Sequence, residues 1–74
     1  MSGDAKVGEL LKGARRQRGW SQGELAKRSG VPQSPIWRIE NGLIAEPKIG
    51  VVLKFAEALG LDIHQLIAQP SPGS

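Results

Sequence analysis

A chain of 74 residues with a formal net charge of +3 and no cysteine has room for one small domain, near the lower limit for a self-sufficient apolar core. Without cysteine no disulfide can staple it, and with one histidine it has too few ligands for a structural zinc site. No apolar run approaches a membrane span or a signal-peptide core, so a soluble, cytoplasmic chain with no membrane contact is expected.

Val7, Leu10, Leu11 and Ala14 recur at i, i+3, i+4 and i+7, which predicts a first helix over about 5–18 with one buried stripe. Gly19 ends it, and Trp20 plugs the junction with the next helix. Ser21 is placed to cap a second helix over 22–28, with Glu24 reaching back to complete a reciprocal capping box. Leu25 and Ala26 give that helix its apolar face. Gly30 supplies a left-handed turn. A third helix over 33–40 turns Ile36 and Ile39 inward and ends at Asn41-Gly42.

Leu43 to Pro47 read as a loop. Ile49, Val52, Phe55, Ala56 and Leu59 form the stripe of a fourth helix over 49–59, stopped by Gly60. Asp62 caps a fifth helix over 63–68, with Gln65 at the matching third position and Ile63, Leu66 and Ile67 as its apolar face. Residues 69–74, Gln-Pro-Ser-Pro-Gly-Ser, have no apolar anchor and read as a flexible tail or the start of a linker. There are no internal repeats and no strand-like alternation. The expected fold is therefore all-α, a compact five-helix bundle over residues 1–68. Its expected core is Leu10, Leu11, Ala14, Trp20, Leu25, Ala26, Val31, Ile36, Ile39, Val52, Phe55, Ala56, Leu59 and Leu66.

The second and third helices with their four-residue turn make a helix-turn-helix, whose second helix enters the major groove of DNA. Charge follows the motif. Residues 1–45 carry eight Lys/Arg against four Asp/Glu, and residues 46–74 carry two against three, so the positive charge lies on the half that holds the motif. Catalysis has no such support. The glycines are scattered at helix ends and turns rather than gathered in a phosphate loop, the acids are dispersed, and His64 reads as a solvent-facing residue with no serine beside it. No enzyme activity, metal or small-molecule cofactor is expected.

Arg15, Ser21-Gln22, Glu24-Leu25-Ala26, Gly30-Val31, Ile39-Glu40-Asn41-Gly42, Pro47, Ala56 and Leu59 stand in one register. In that pattern residues 8 to 67, about four fifths of the chain, resemble the repressor/Cro-type (XRE-like) helix-turn-helix family of phage repressors and bacterial regulators. The resemblance implies the phage-repressor DNA-binding fold, a structural ion pair between Arg15 and Glu40, a phosphate contact from Gln22, and base reading from Gln33 and Ser34. Trp37 also lies on the outward face and is placed with the base readers. Arg38, Arg16 and Asn41 are placed at phosphates.

Three departures from the family pattern stand out. Pro32 replaces the usual Ser/Thr cap of the third helix, with Pro35 in its first turn. Trp37 occupies a place usually held by a small polar residue. Leu43-Ile44 stand where Lys or Arg often meets phosphate; together with Leu61, Ile63 and Ile67 they are expected at a dimer interface.

The function expected is sequence-specific binding of double-stranded DNA by a repressor-like transcriptional regulator, a homodimer on a two-fold operator. The alternative is a protein-interaction module on the same fold, such as an antitoxin or co-regulator, that uses Trp37 and Leu43-Ile44 and binds DNA weakly. A third reading makes the chain the DNA-binding part of a longer regulator.

Overall fold

Apolar stripes at helical spacing dictate the architecture. The structure, a computed structural model, describes residues 6–66. Four helices, α1 (Lys6–Gln17), α2 (Gln22–Ser29), α3 (Gln33–Glu40) and α4 (Ile49–Leu59), are followed by a 3-10 turn at Ile63–Gln65. No strand occurs among the described residues. α1 lies against α3 and α4, and α2 packs against both of the same helices. Phe55 of α4 is fully buried with Leu11, Leu25, Ile36, Ile39 and Leu66, so every element contributes to one core. Removing side chains of this size from water contributes about 1.5–3 kcal/mol each.

Local chemistry sets the boundaries. Ser21 Oγ accepts the Glu24 amide at 3.0 Å and starts α2. The reciprocal half of the expected capping box is not formed, because the Glu24 carboxylate pairs instead with Arg28, one helical turn on. At Asp62 both halves are present: Asp62 Oδ1 accepts the His64 amide, and Gln65 Oε1 accepts the Asp62 amide. Those bonds close a single turn, with Leu66 N–H on Ile63 O at 2.9 Å, rather than the start of a regular α-helix. The described residues thus hold four α-helices where five helices were expected. Ile67 and the tail at 69–74 lie outside them.

α3 opens on two prolines without being broken. Pro32 is its N-cap and offers no side-chain acceptor. Pro35 stands third in the helix, where an amide has no intrahelical partner, so its missing N–H leaves no gap in the ladder. The far end closes by a Schellman motif: Gly42, at φ +79°, donates to Ile39 O at 3.1 Å and Leu43 donates to Arg38 O at 2.8 Å.

Several expected core residues lie at the margin. Leu10 is 40 % exposed, because the buried face of α1 runs through Gly8, Leu11 and Arg15. Leu10 is left on an open groove between α1 and the segment 61–65. Ala14, Trp20 and Ala26 are half-buried against the core. Ile49, assigned to the α4 stripe, stands exposed in the first turn of that helix. Trp20 packs at the α1–α2 junction with the Arg28 guanidinium 4.5 Å above its ring, a cation–π contact.

Gly8 permits the closest approach of two helices. A Cβ there would sit 2.2 Å from the Ile39 carbonyl oxygen and 3.4 Å from Glu40 Cα. Both are backbone atoms, so α1 would have to move away from α3. Gly8→Ala should therefore destabilise the fold by about 1–3 kcal/mol in urea melts, despite alanine's better helix propensity. Gly13→Ala, on the open side of the same helix, should gain about 0.5–1 kcal/mol. Equal effects at the two sites would rule out the tight crossing.

Candidate nucleic-acid interface

The geometry of α2 and α3 is set by their turn. Gly30 takes a left-handed conformation, φ +78°, and donates to Ala26 O at 2.9 Å. Ser29 Oγ accepts the amide of buried Val31 at 3.2 Å. Because α2 extends through Ser29, the turn is Gly30-Val31-Pro32, one residue shorter than expected.

On α3, Ile36, Ile39 and Glu40 are buried, while Gln33, Ser34, Trp37 and Arg38 are exposed. The exposed residues form two i, i+4 pairs, 33 with 37 and 34 with 38, and so make one continuous face. Gln33 leans toward α2: its Oε1 is 3.7 Å from where a Cβ on Gly23 would stand. Trp37 is 50 % exposed. Its carbonyl oxygen accepts both the Asn41 amide at 3.0 Å and Asn41 Nδ2 at 2.8 Å, so the Asn41 side chain folds back to close α3. Arg16, Lys27 and Arg38 are exposed and make no ion pair among the described residues.

A buried charge cluster fastens this face from behind. Arg15 donates to Glu40 through Nε at 2.8 Å and Nη2 at 2.9 Å, and through Nη1 to the Trp20 carbonyl at 2.7 Å. Gln22 Nε2 donates to Glu40 Oε1 at 3.0 Å. The carboxylate thus takes three hydrogen bonds from two helices, and no buried side-chain N or O among the described residues lacks a partner. Burial pushes the Glu40 carboxyl up. Hydrogen bonds from Arg15 and then Gln22, with the charges of Arg15 and Lys12, outweigh that and hold it below the usual carboxylate range. The Arg15 guanidinium is pushed up, chiefly by its hydrogen bond to Glu40 and against its own desolvation.

The residues expected at an interface between copies divide. Leu43 is 66 % exposed, whereas Ile44, Leu61 and Ile63 are half-buried against the core, and Ile67 lies outside the described residues. The apolar loop pair therefore does not act as a unit: Ile44 packs inward and Leu43 stands out. Sequence reasoning also missed Arg18. It counted there only as charge, yet its Nη1 donates to Ala14 O at 2.9 Å and its Nη2 to Leu59 O, tying the end of α1 to the end of α4. His64 is exposed beside Asp62, whose carboxyl is lowered first by the His64 amide, which donates to Oδ1 at 3.0 Å, and then by the His64 ring, whose Nδ1 lies 2.9 Å from the same oxygen. Among the described residues no His, Cys, Asp or Glu cluster could hold a metal ion.

Two short helices crossing at a glycine turn, the second with a polar outer face and a pinned inner one, define a helix-turn-helix protein. The family model described as a helix-turn-helix domain matches residues 6–68. The chain belongs to that family, in its XRE (repressor/Cro-type) branch. Its relatives include the HTH-type transcriptional regulator SinR of Bacillus subtilis (strain 168), 33 % identical over 61 residues that make up 82 % of this chain and 55 % of SinR. The HTH-type transcriptional repressor RghR of the same organism is 40 % identical over 60 residues, 81 % of this chain and 44 % of RghR. The chain spans about half the length of these curated relatives. Among solved structures, SinR, described as the master regulator for biofilm formation and crystallised with DNA, superposes with a TM-score of 0.79 at 33 % identity, covering 81 % of this chain and 95 % of that one.

Arg15→Ala and Glu40→Ala should each cost about 3–5 kcal/mol, since each leaves a buried charge without its partner. The double mutant should cost far less than the sum; additive urea-melt energies would mean the two side chains do not interact. The depressed carboxyl also fixes a pH dependence. Its contribution is complete at neutral pH and is lost as pH falls below the ordinary glutamate range through the lowered folded value. Glu40→Gln should flatten the acid limb of a plot of urea midpoint against pH.

Proposed function

We propose that the chain is a sequence-specific binder of double-stranded DNA and regulates transcription, with α3 as the helix that enters the major groove. The observation that carries this reading is the exposed Gln33–Ser34–Trp37–Arg38 face, held rigidly by Glu40 on the reverse side of the same short helix. Relatives named as transcriptional regulators and the likeness to SinR crystallised with DNA support it. Gln33 and Ser34 read base edges, glutamine by a two-point hydrogen bond to adenine. Trp37 contributes to the same face. Arg38 and Arg16 neutralise phosphates. Gln22 and Asn41 each retain a second amide hydrogen for a phosphate oxygen, beyond the one given to Glu40 or to the Trp37 carbonyl.

One module of this size covers little DNA, so two copies on a two-fold site, about 34 Å apart along the duplex, supply the specificity. Leu43 is the exposed apolar residue offered to the partner copy, with the outer edges of Leu61 and Ile63 and with Ile67. The helix-turn-helix domain occupies residues 1–68. The chain acts in the cytoplasm and has no catalytic role.

Selection of bound sequences from random duplexes, followed by titration at several salt concentrations, tests the reading. Gln33→Ala should cost about 1–3 kcal/mol on the selected site and relax preference at one position per half-site. Arg38→Ala should weaken all duplexes alike and flatten the salt slope by about one unit per subunit. Failure to enrich any sequence, with salt-insensitive binding, would sink the proposal. Sedimentation tests the pairing: Leu43→Asp should shift the complex on a two-fold site toward single occupancy, and a wild-type protein that binds such a site only as a monomer would refute it.

A further inference from the structure

Trp37 is the least expected residue on the outward face of α3, and its placement points to a particular chemical group. The indole is half exposed on a helix whose inner residues are locked. The Trp37 carbonyl is held twice, by the Asn41 amide and by Asn41 Nδ2, so the backbone from which the ring projects is fixed. Gln33, one turn earlier on the same face, leans its Oε1 toward Gly23 of α2, and Ser34 is short. The indole is therefore the bulkiest rigid group among the exposed side chains of that face.

An indole offers one N–H donor, no acceptor and a broad apolar surface. The major-groove edges of base pairs present hydrogen-bonding groups at every position; the single indole N–H can satisfy one acceptor at most, and the broad face of the ring would strip the others of water without replacing it. One group there is apolar: the methyl at C5 of a pyrimidine, carried by thymine and by 5-methylcytosine. Resting on the DNA-binding function proposed above, we infer that Trp37 is a specificity residue that reads a pyrimidine 5-methyl group in the major groove. Thymine and methylated cytosine offer it the same contact, and unmethylated cytosine and uracil do not.

The test alters the DNA, so it does not depend on a variant folding. In a duplex enriched from a random pool, thymines of the half-site are replaced one at a time by uracil, which pairs identically but lacks the methyl. Affinity should fall about three- to fivefold at one position per half-site, the effect of one buried methyl group. In Trp37→Ala that discrimination should vanish, while its urea melt stays close to wild type. Cytosine at the same position should bind weakly and 5-methylcytosine should restore the loss, which separates the methyl group from the rest of the base. Uracil tolerated at every thymine of a tightly bound site overturns the inference and leaves DNA binding standing. So does a Trp37→Ala protein that keeps full affinity and thymine preference, an outcome that would assign the indole to a protein contact. If no duplex is enriched at all, both this inference and the function beneath it fall.

Discussion

The Arg15–Glu40 pair is the constraint on which the arrangement of helices depends. Glu40 is the last residue of α3, where the negative end of the helix dipole disfavours a carboxylate, and it is also buried. Only a partner of opposite charge with matching geometry makes that position tolerable. The two-point guanidinium contact supplies it, and the third donor of Arg15 reaches the Trp20 carbonyl just past the end of α1. Gln22 adds a donor from α2, so a single carboxylate fixes three helices relative to one another. Arg18 repeats the theme one turn later at the C-terminal end of α4. Arg15 in α1 and Arg18 just past its end thus gather the C-terminal ends of α1, α3 and α4, Arg18 by donating to helix carbonyls and Arg15 through the Glu40 carboxylate.

Gly8 complements this electrostatic fixing with a steric one. α1 touches the end of α3 at Gly8, through backbone, and again at Arg15, through side chains, about two turns apart. Two separated contacts on one helix resist rotation as well as translation. The ends of α1, α3 and α4 are closed by paired hydrogen bonds running back into the last turn at Gly19, Gly42 and Gly60.

Elements whose cause is local were legible in the sequence. α3 and α4 lie where their apolar spacing places them and end at Asn41-Gly42 and Gly60, and the Asp62–Gln65 cap forms as its spacing requires. The Arg15–Glu40 contact was legible only through family resemblance, since 25 residues separate the partners. What escaped depends on competition between partners, within one helix or between helices. Glu24 had two possible partners, and Arg28 won it from the Ser21 amide. Leu10 matches the apolar period of α1 as well as Leu11 does, and only the direction of approach of α3 decides which is covered. A glycine inside a helix reads as a weak point, so nothing local marks Gly8 as the place where two backbones meet. The two halves of Leu43-Ile44 look equivalent in sequence, yet the Schellman turn swings one outward and packs the other.

The division of α3 into a locked inner face and an unconstrained outer one has an evolutionary corollary. Ile36, Ile39 and Glu40 carry the helix's attachment to the body, while Gln33, Ser34, Trp37 and Arg38 make no side-chain hydrogen bond to the described residues. Stability and outward chemistry therefore reside in different positions of the same eight residues. Substitutions on the outer face can accumulate with little effect on folding, usually within about 0.5 kcal/mol each. A lineage built on this scaffold is free to change what α3 presents while keeping the support beneath it intact.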